Sequence, residues 1–128
     1  MIKNKKIFYW AAAISYALLI FFLSSLSGSQ TDRFYLFKNS DKVIHIMVYA
    51  VLCFLLNRAF SFTFKNSVKR YVPIIAIFIS IVYAISDEFH QSFVPGRSAE
   101  VYDVFADGMG AVISQIILYI KDLKGDLR

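Results

Sequence analysis

The chain has 128 residues, 58% of them hydrophobic, and a net charge of +5, with a mean hydropathy of +0.56. Its charges are segregated, leaving long uncharged runs, so the composition excludes an ordinary soluble domain and indicates a small integral membrane protein. The pI of about 9.4 does not point to nucleic acid. The basic residues sit in short loops beside apolar segments, with no basic stripe, zinc-ligand spacing or stacking motif.

The first uncharged run covers residues 7–26. About twenty residues cross a hydrocarbon core of roughly 30 Å at about 1.5 Å per residue. Lys3, Lys5 and Lys6 precede it. That arrangement also fits a signal peptide, with Ser25-Leu26-Ser27 imitating a cleavage site. The run is longer than a usual signal-peptide core and three further spans follow, so the first helix is expected to be retained. Ser24, Ser25 and Ser27 are expected to finish it. Residues 27–42 mix Ser, Gly, Gln, Thr and Asp and read as a surface loop.

A second span, at about 43–60, opens on Asp41, Lys42, His45 and Tyr49. Asp41, His45 and Tyr49 fall at i, i+4 and i+8 and share one helix face. Cys53, the only cysteine, can form no internal disulfide and reads as a small buried hydrophobe. Phe60, Phe62 and Phe64 alternate, yet they read as an interfacial aromatic belt rather than a strand.

The third span, at about 71–91, has Pro73 in its first turn, where a missing amide proton does no harm. Between Val72 and Ser86 there are only about fifteen residues, roughly 22 Å of helix, short of the bilayer core. To span, the helix must continue through Asp87 and Glu88 to Gln91, which sets both carboxylates about one turn below the surface. Val94-Pro95-Gly96 then makes a turn that could fold Arg97 back over them as a bidentate pair. The fourth span, at about 102–120, carries Asp103 and Asp107 four residues apart. Gly108 and Gly110 in the same span permit close backbone approach.

The expected fold is all-α: one domain over residues 1–128, an integral membrane bundle of four transmembrane helices. Lys3, Lys5, Lys6, Lys65, Lys69, Arg70, Lys121, Lys124 and Arg128 fall on one side. Arg33, Lys38, Lys42 and Arg97 fall on the other. The positive-inside rule therefore sets both termini in the cytoplasm and most acidic residues, Asp32 among them, at the outer face of the cell membrane. Carboxylates facing lipid are costly, so the polar edges of three helices are expected to converge on one inward pocket open to the outer leaflet.

These motifs together resemble the VanZ-like family of small bacterial membrane proteins over essentially the whole chain. The matching residues are Asp41-Lys42-Val43-Ile44-His45 with Tyr49, Asp87-Glu88 with Gln91, Phe93-Val94-Pro95-Gly96-Arg97, Asp103-Val104 and Gly110-Ala111. Phe22-Leu23-Ser24-Ser25 at the end of the first span fits as well. Asp107 and Ser114 depart from the pattern, which commonly has Asn and another small residue. The resemblance implies a multi-pass protein acting at the bacterial cell envelope. The family takes its name from a protein associated with resistance to the lipoglycopeptide teicoplanin, and the resemblance supplies no reaction.

Candidate ligand-binding residues are Asp41, Lys42, His45, Tyr49, Asp87, Glu88, Gln91, Arg97, Asp103 and Asp107, with Asp87, Glu88 and His45 as catalytic candidates. Plainer roles compete at each position. Asp41-Lys42 also reads as a helix start with a snorkelling lysine, and Asn39 or Ser40 could cap equally well. His45 also reads as an interhelical hydrogen bond, and Asp87, Glu88 and Arg97 as a structural ion-pair network. No cofactor and no metal is expected: His45 with Glu88 and Asp107 could hold an ion, but no sequence-local ligand motif supports it.

Three functions follow. The first is binding of an envelope lipid, a lipid-linked precursor or an amphipathic glycopeptide-type drug, since apolar walls with convergent polar groups suit such a ligand. The second is an enzyme acting on an envelope lipid or glycan, with Asp87 or Glu88 as acid/base and Arg97 or Lys42 on a phosphate. The third is a small transporter, weakened because the middles of the spans carry no charge. The expected partners are the bilayer and such a ligand, not nucleic acid. No oligomeric state is indicated.

Overall fold

The structure, a computed structural model, describes residues 1–31 and 40–126. The expectations placed on Asp32, Arg33, Lys38, Asn39 and Arg128 lie outside these residues. The elements in chain order are α1 (Ile2–Ser24), α2 (Gly28–Thr31), α3 (Ser40–Ser61), α4 (Asn66–Lys69), α5 (Val72–Gln91) and α6 (Val101–Asp126). Among the described residues there is no strand. The four long helices are each long and apolar enough to cross a membrane.

The helix ends differ from the apolar runs in ways that follow from local chemistry. Helix α1 begins at Ile2 rather than residue 7, because Lys3, Lys5 and Lys6 are good helix formers that can hold their ammonium groups away from an apolar environment. It stops at Ser24 rather than residue 26, where Ser25 Oγ donates to Phe21 O at 2.7 Å. Helix α3 opens at Ser40, which puts Asp41 and Lys42 in its first turn. Helix α5 carries Pro73 at its start and ends at Gln91, so Asp87 and Glu88 lie in its last turns.

The interior is built from small side chains. Ala13, Cys53, Ala76, Ala84 and Ala111 are buried, with Tyr49 and Leu52 filling the space between them. Large apolar side chains such as Leu18, Phe22, Met47, Phe78, Phe105 and Ile117 point outward. Small residues between helices and bulky ones outside are the arrangement that packing in lipid favours. Gly110 marks the tightest approach: a Cβ there would run into the Ile46 carbonyl of α3. Gly108 does not share that role, since a Cβ there would meet only the Ile81 side chain at 3.9 Å.

One end of the bundle is basic and aromatic. Trp10 Nε1 donates to Thr63 Oγ1 at 2.9 Å, the Tyr9 and Phe62 rings stack, and the Trp10 ring meets Phe60 edge-on. The Arg58 guanidinium lies 5.8 Å from the Tyr9 ring centre and 5.5 Å from that of Phe62. Phe60, Phe62 and Phe64 thus belong to a ring cluster and not to a strand. A neutral buried layer lies just inward, where Asn57 Nδ2 donates to Gln115 Oε1 at 2.6 Å and Gln115 Nε2 donates to Cys53 Sγ at 3.0 Å. The opposite end is where the carboxylates gather.

Candidate functional site

Four helices contribute to the acidic end, and each brings its polar residues for a local reason. Helix α3 starts at Ser40, so the Asp41, His45 and Tyr49 face begins in its first turn. Helix α5 overruns its apolar stretch to include Asp87, Glu88 and Gln91, all buried. Helix α6 presents Asp103 and Asp107, and α1 ends at its buried Ser24.

The side chains form three groups, the first two of them joined. Lys42 Nζ is the centre of the first: it lies 3.0 Å from Asp41 Oδ2 and 2.7 Å from Glu100 Oε2, and it pairs with Asp103 Oδ1. The second joins α3 to α6 through His45 Nδ1 and Asp107 Oδ1, 2.8 Å apart, with Asp107 only 1% exposed. His45 Nε2 lies 3.9 Å from Asp103 Oδ2, which couples this group to the first.

Asp87 is the centre of the third. Ser24 Oγ donates to its Oδ1 at 2.7 Å and Gln91 Nε2 donates to its Oδ2 at 3.0 Å. Gln91 Oε1 in turn accepts from Arg97 Nη2 at 2.7 Å. Arg97 therefore does fold back toward α5, but this guanidinium contact is with Gln91, which relays it to Asp87. The turn that carries Arg97 is clamped from below: Gly28 N donates to Pro95 O at 3.1 Å. Gly96 has φ +75, and a Cβ at Gly28 would collide with its carbonyl.

Glu88 accepts the backbone N–H of Glu100 on Oε2 at 3.0 Å, while its Oε1 is buried without a hydrogen-bond partner among the described residues. The Tyr49 hydroxyl is also buried and without a partner among these residues. Carboxyl oxygens of Glu88 and Asp107 and a ring nitrogen of His45 lie within 4.8 Å of one another, and Asp41, Glu100 and Asp103 form a second such group.

Beside these groups runs a cleft of about 270 Å³. Ile20, Leu23, Ile44 and Val48 line its apolar part, and Asp41, His45, Tyr49, Asp87, Gln91 and Arg97 its polar part. A smaller polar pocket of about 180 Å³ shares Thr31, Asp41, His45, Gln91 and Arg97 with it and extends to Glu100 and Asp103. The two together make an apolar slot with a charged head.

The VanZ/LLP1 family model matches residues 4–122. The chain belongs to the VanZ/LLP1 family. No curated protein and no solved structure matches it. With its four apolar helices, this VanZ/LLP1 protein is a multi-pass membrane protein.

Within the VanZ/LLP1 chain, all ten candidate ligand-binding residues quoted from the sequence fall in this end of the bundle or line its two pockets. His90, between Glu88 and Gln91 in sequence, does not join them. Its ring packs 4.5 Å from the Phe21 ring centre and its Nε2 lies 3.0 Å from Ser25 Oγ. Sequence reasoning missed Ser24, which looked like a simple helix end, and Thr31, which looked like loop. The available signal for Ser24 was depth: the last turn of α1 lies level with Asp87 only if both helices are measured from their basic ends.

Proposed function

We propose that this VanZ/LLP1 protein binds an amphipathic molecule of the bacterial cell envelope, a lipid or lipid-linked precursor, with its polar head among the charged groups and its chain in the apolar slot. The observation that carries the reading is the shared wall of the two pockets: Asp41, His45, Gln91 and Arg97 border both the apolar cleft and the polar one. A ligand that is polar at one end and oily at the other matches both surfaces at once. Arg97 borders both pockets and is the cation that an anionic head would meet there, and the Tyr49 hydroxyl in the apolar cleft would add a donor. By the positive-inside rule the basic end lies in the cytoplasm, so the cleft opens toward the outer leaflet of the cell membrane.

The test is native mass spectrometry of the protein released from vesicles containing a polyprenyl phosphate beside ordinary phospholipids. One polyprenyl phosphate should stay bound to wild type. Ile44→Trp, which fills the slot from a partly exposed position, should remove it. Release without lipid, or equal retention by Ile44→Trp, overturns the reading. A lipoglycopeptide such as teicoplanin belongs to the same class of amphipath. Expression in a susceptible strain should then raise resistance in wild type and not in Ile44→Trp, and unchanged susceptibility in both removes the drug from the ligand class. Turnover of the bound lipid that depends on Glu88 would replace binding by catalysis.

A further inference from the structure

Two groups at the acidic end have ligand atoms close enough together to hold a cation. The first, Asp41, Glu100 and Asp103, already has one: the Lys42 ammonium contacts all three. The second, His45, Glu88 and Asp107, has no lysine among its contacts with the described residues. Asp87 has both carboxylate oxygens hydrogen-bonded, by Ser24 and Gln91. That leaves two buried carboxylates, Glu88 and Asp107 at 5% and 1% exposed, sharing one imidazole. A protonated His45 neutralises one of them at most. An unbalanced charge in an apolar interior costs several kcal/mol unless a proton or a cation meets it.

A second feature points the same way. Glu88 Oε1 is buried with no hydrogen-bond partner among the described residues, although its sister oxygen takes the Glu100 amide. A buried carboxylate normally has its oxygens engaged, because the desolvated lone pairs are otherwise uncompensated. This orphan belongs to the residue that completes the trio.

We propose that His45, Glu88 and Asp107 form a binding site for one zinc-type divalent transition-metal ion between α3, α5 and α6. One imidazole nitrogen and two carboxylate oxygens suit zinc, and the imidazole favours it over magnesium, calcium or manganese. Three protein ligands leave a coordination position for water or for a ligand's oxygen. The terminal torsions of Glu and Asp carboxyl groups are soft, so the oxygens can close on an ion at about 2.0–2.2 Å from their present spacing. No sequence-local motif announces the site because each ligand comes from a different helix. The proposal goes beyond lipid binding and needs no lipid.

The test uses the full-length protein in detergent, stripped of metal and titrated with Zn²⁺ alone. Wild type should bind one equivalent. Glu88→Gln and Asp107→Asn, which keep size and shape, should each weaken binding at least about tenfold. Glu100→Gln, in the lysine-filled group, should leave it unchanged. The chain has two histidines, so ¹⁵N-histidine labelling of wild type gives a readout that needs no variant. Zn²⁺ should shift the His45 ring nitrogens and leave those of His90 in place. No Zn²⁺ binding by wild type, a shift at His90 alone, or equal affinity in Glu88→Gln and wild type each overturns the proposal. In the first of these cases protons balance the two carboxylates. Lipid retention from vesicles is read separately, so loss of either reading leaves the other standing.

Discussion

Ser24 Oγ donates to Asp87 Oδ1 across a 2.7 Å contact that ties the last residue of α1 to the outer end of α5. Both residues are buried, at 5% exposed each. The bond matters because α1 packs mainly on α3 through small residues, and its outer end is otherwise held to α5 by few polar contacts such as Ser25 to His90. Removing the hydroxyl leaves one carboxylate oxygen desolvated and uncompensated. Ser24→Ala should therefore lower stability by about 1–2 kcal/mol. Equilibrium unfolding in mixed detergent micelles measures it, and a loss near zero would show that water reaches Asp87.

Gly110 and Gly108 offer a paired test of backbone approach. A methyl group at Gly110 meets the Ile46 carbonyl, which cannot yield without moving α3. Gly110→Ala should cost about 2–3 kcal/mol, in the range of overpacking, while Gly108→Ala should stay within about 0.5 kcal/mol. The same unfolding assay compares them. Equal effects would contradict the close contact of α3 with α6.

Lys42 is the ammonium that three carboxylates share. Lys42→Met keeps the aliphatic stem and removes the charge, leaving Asp41, Glu100 and Asp103 to repel one another. Glu100 is nearly half exposed, so solvent screening reduces the loss to about 2 kcal/mol rather than the figure for a fully buried pair. Added salt should narrow the gap between wild type and variant. A gap that is small and indifferent to salt would reduce Lys42 to a snorkelling side chain.

The Tyr49 hydroxyl is buried with no hydrogen-bond partner among the described residues. Tyr49→Phe removes an unsatisfied group, so stability should hold or rise by about 1 kcal/mol. Lipid retention in the vesicle experiment should fall if the spare donor serves the ligand's head. A variant that loses stability would reveal a bonded hydroxyl, and unchanged retention would take Tyr49 out of the binding surface.

Asn57 and Gln115 form a buried amide pair between α3 and α6. Gln115→Leu strands the Asn57 amide and should cost about 1–2 kcal/mol. The double change Asn57→Leu with Gln115→Leu should cost less than the sum of the single changes. Strict additivity in that cycle would mean that the two amides do not interact.

Much of this architecture was legible before any coordinates. Four uncharged runs, each near the length of a bilayer crossing, specify four helices because a backbone in lipid has to satisfy its hydrogen bonds within the segment. The period of a helix places Asp41, His45 and Tyr49 on one face. The distance arithmetic on α5 carries the helix through Asp87 and Glu88 to Gln91, since a shorter helix cannot cross.

Partnership was not legible, because it depends on the rotation and depth of helices far apart in sequence. That Lys42 serves Asp103 and Glu100, that His45 meets Asp107, and that Arg97 meets Gln91 on the way to Asp87 are outcomes of packing. So is the sorting of near-identical neighbours: Gly110 is needed and Gly108 is not, and Glu88 turns inward while His90 turns toward Phe21. Composition and period act along one chain segment and set what each helix is. Which side chains meet is decided only when α1, α3, α5 and α6 close on the small residues at their common core.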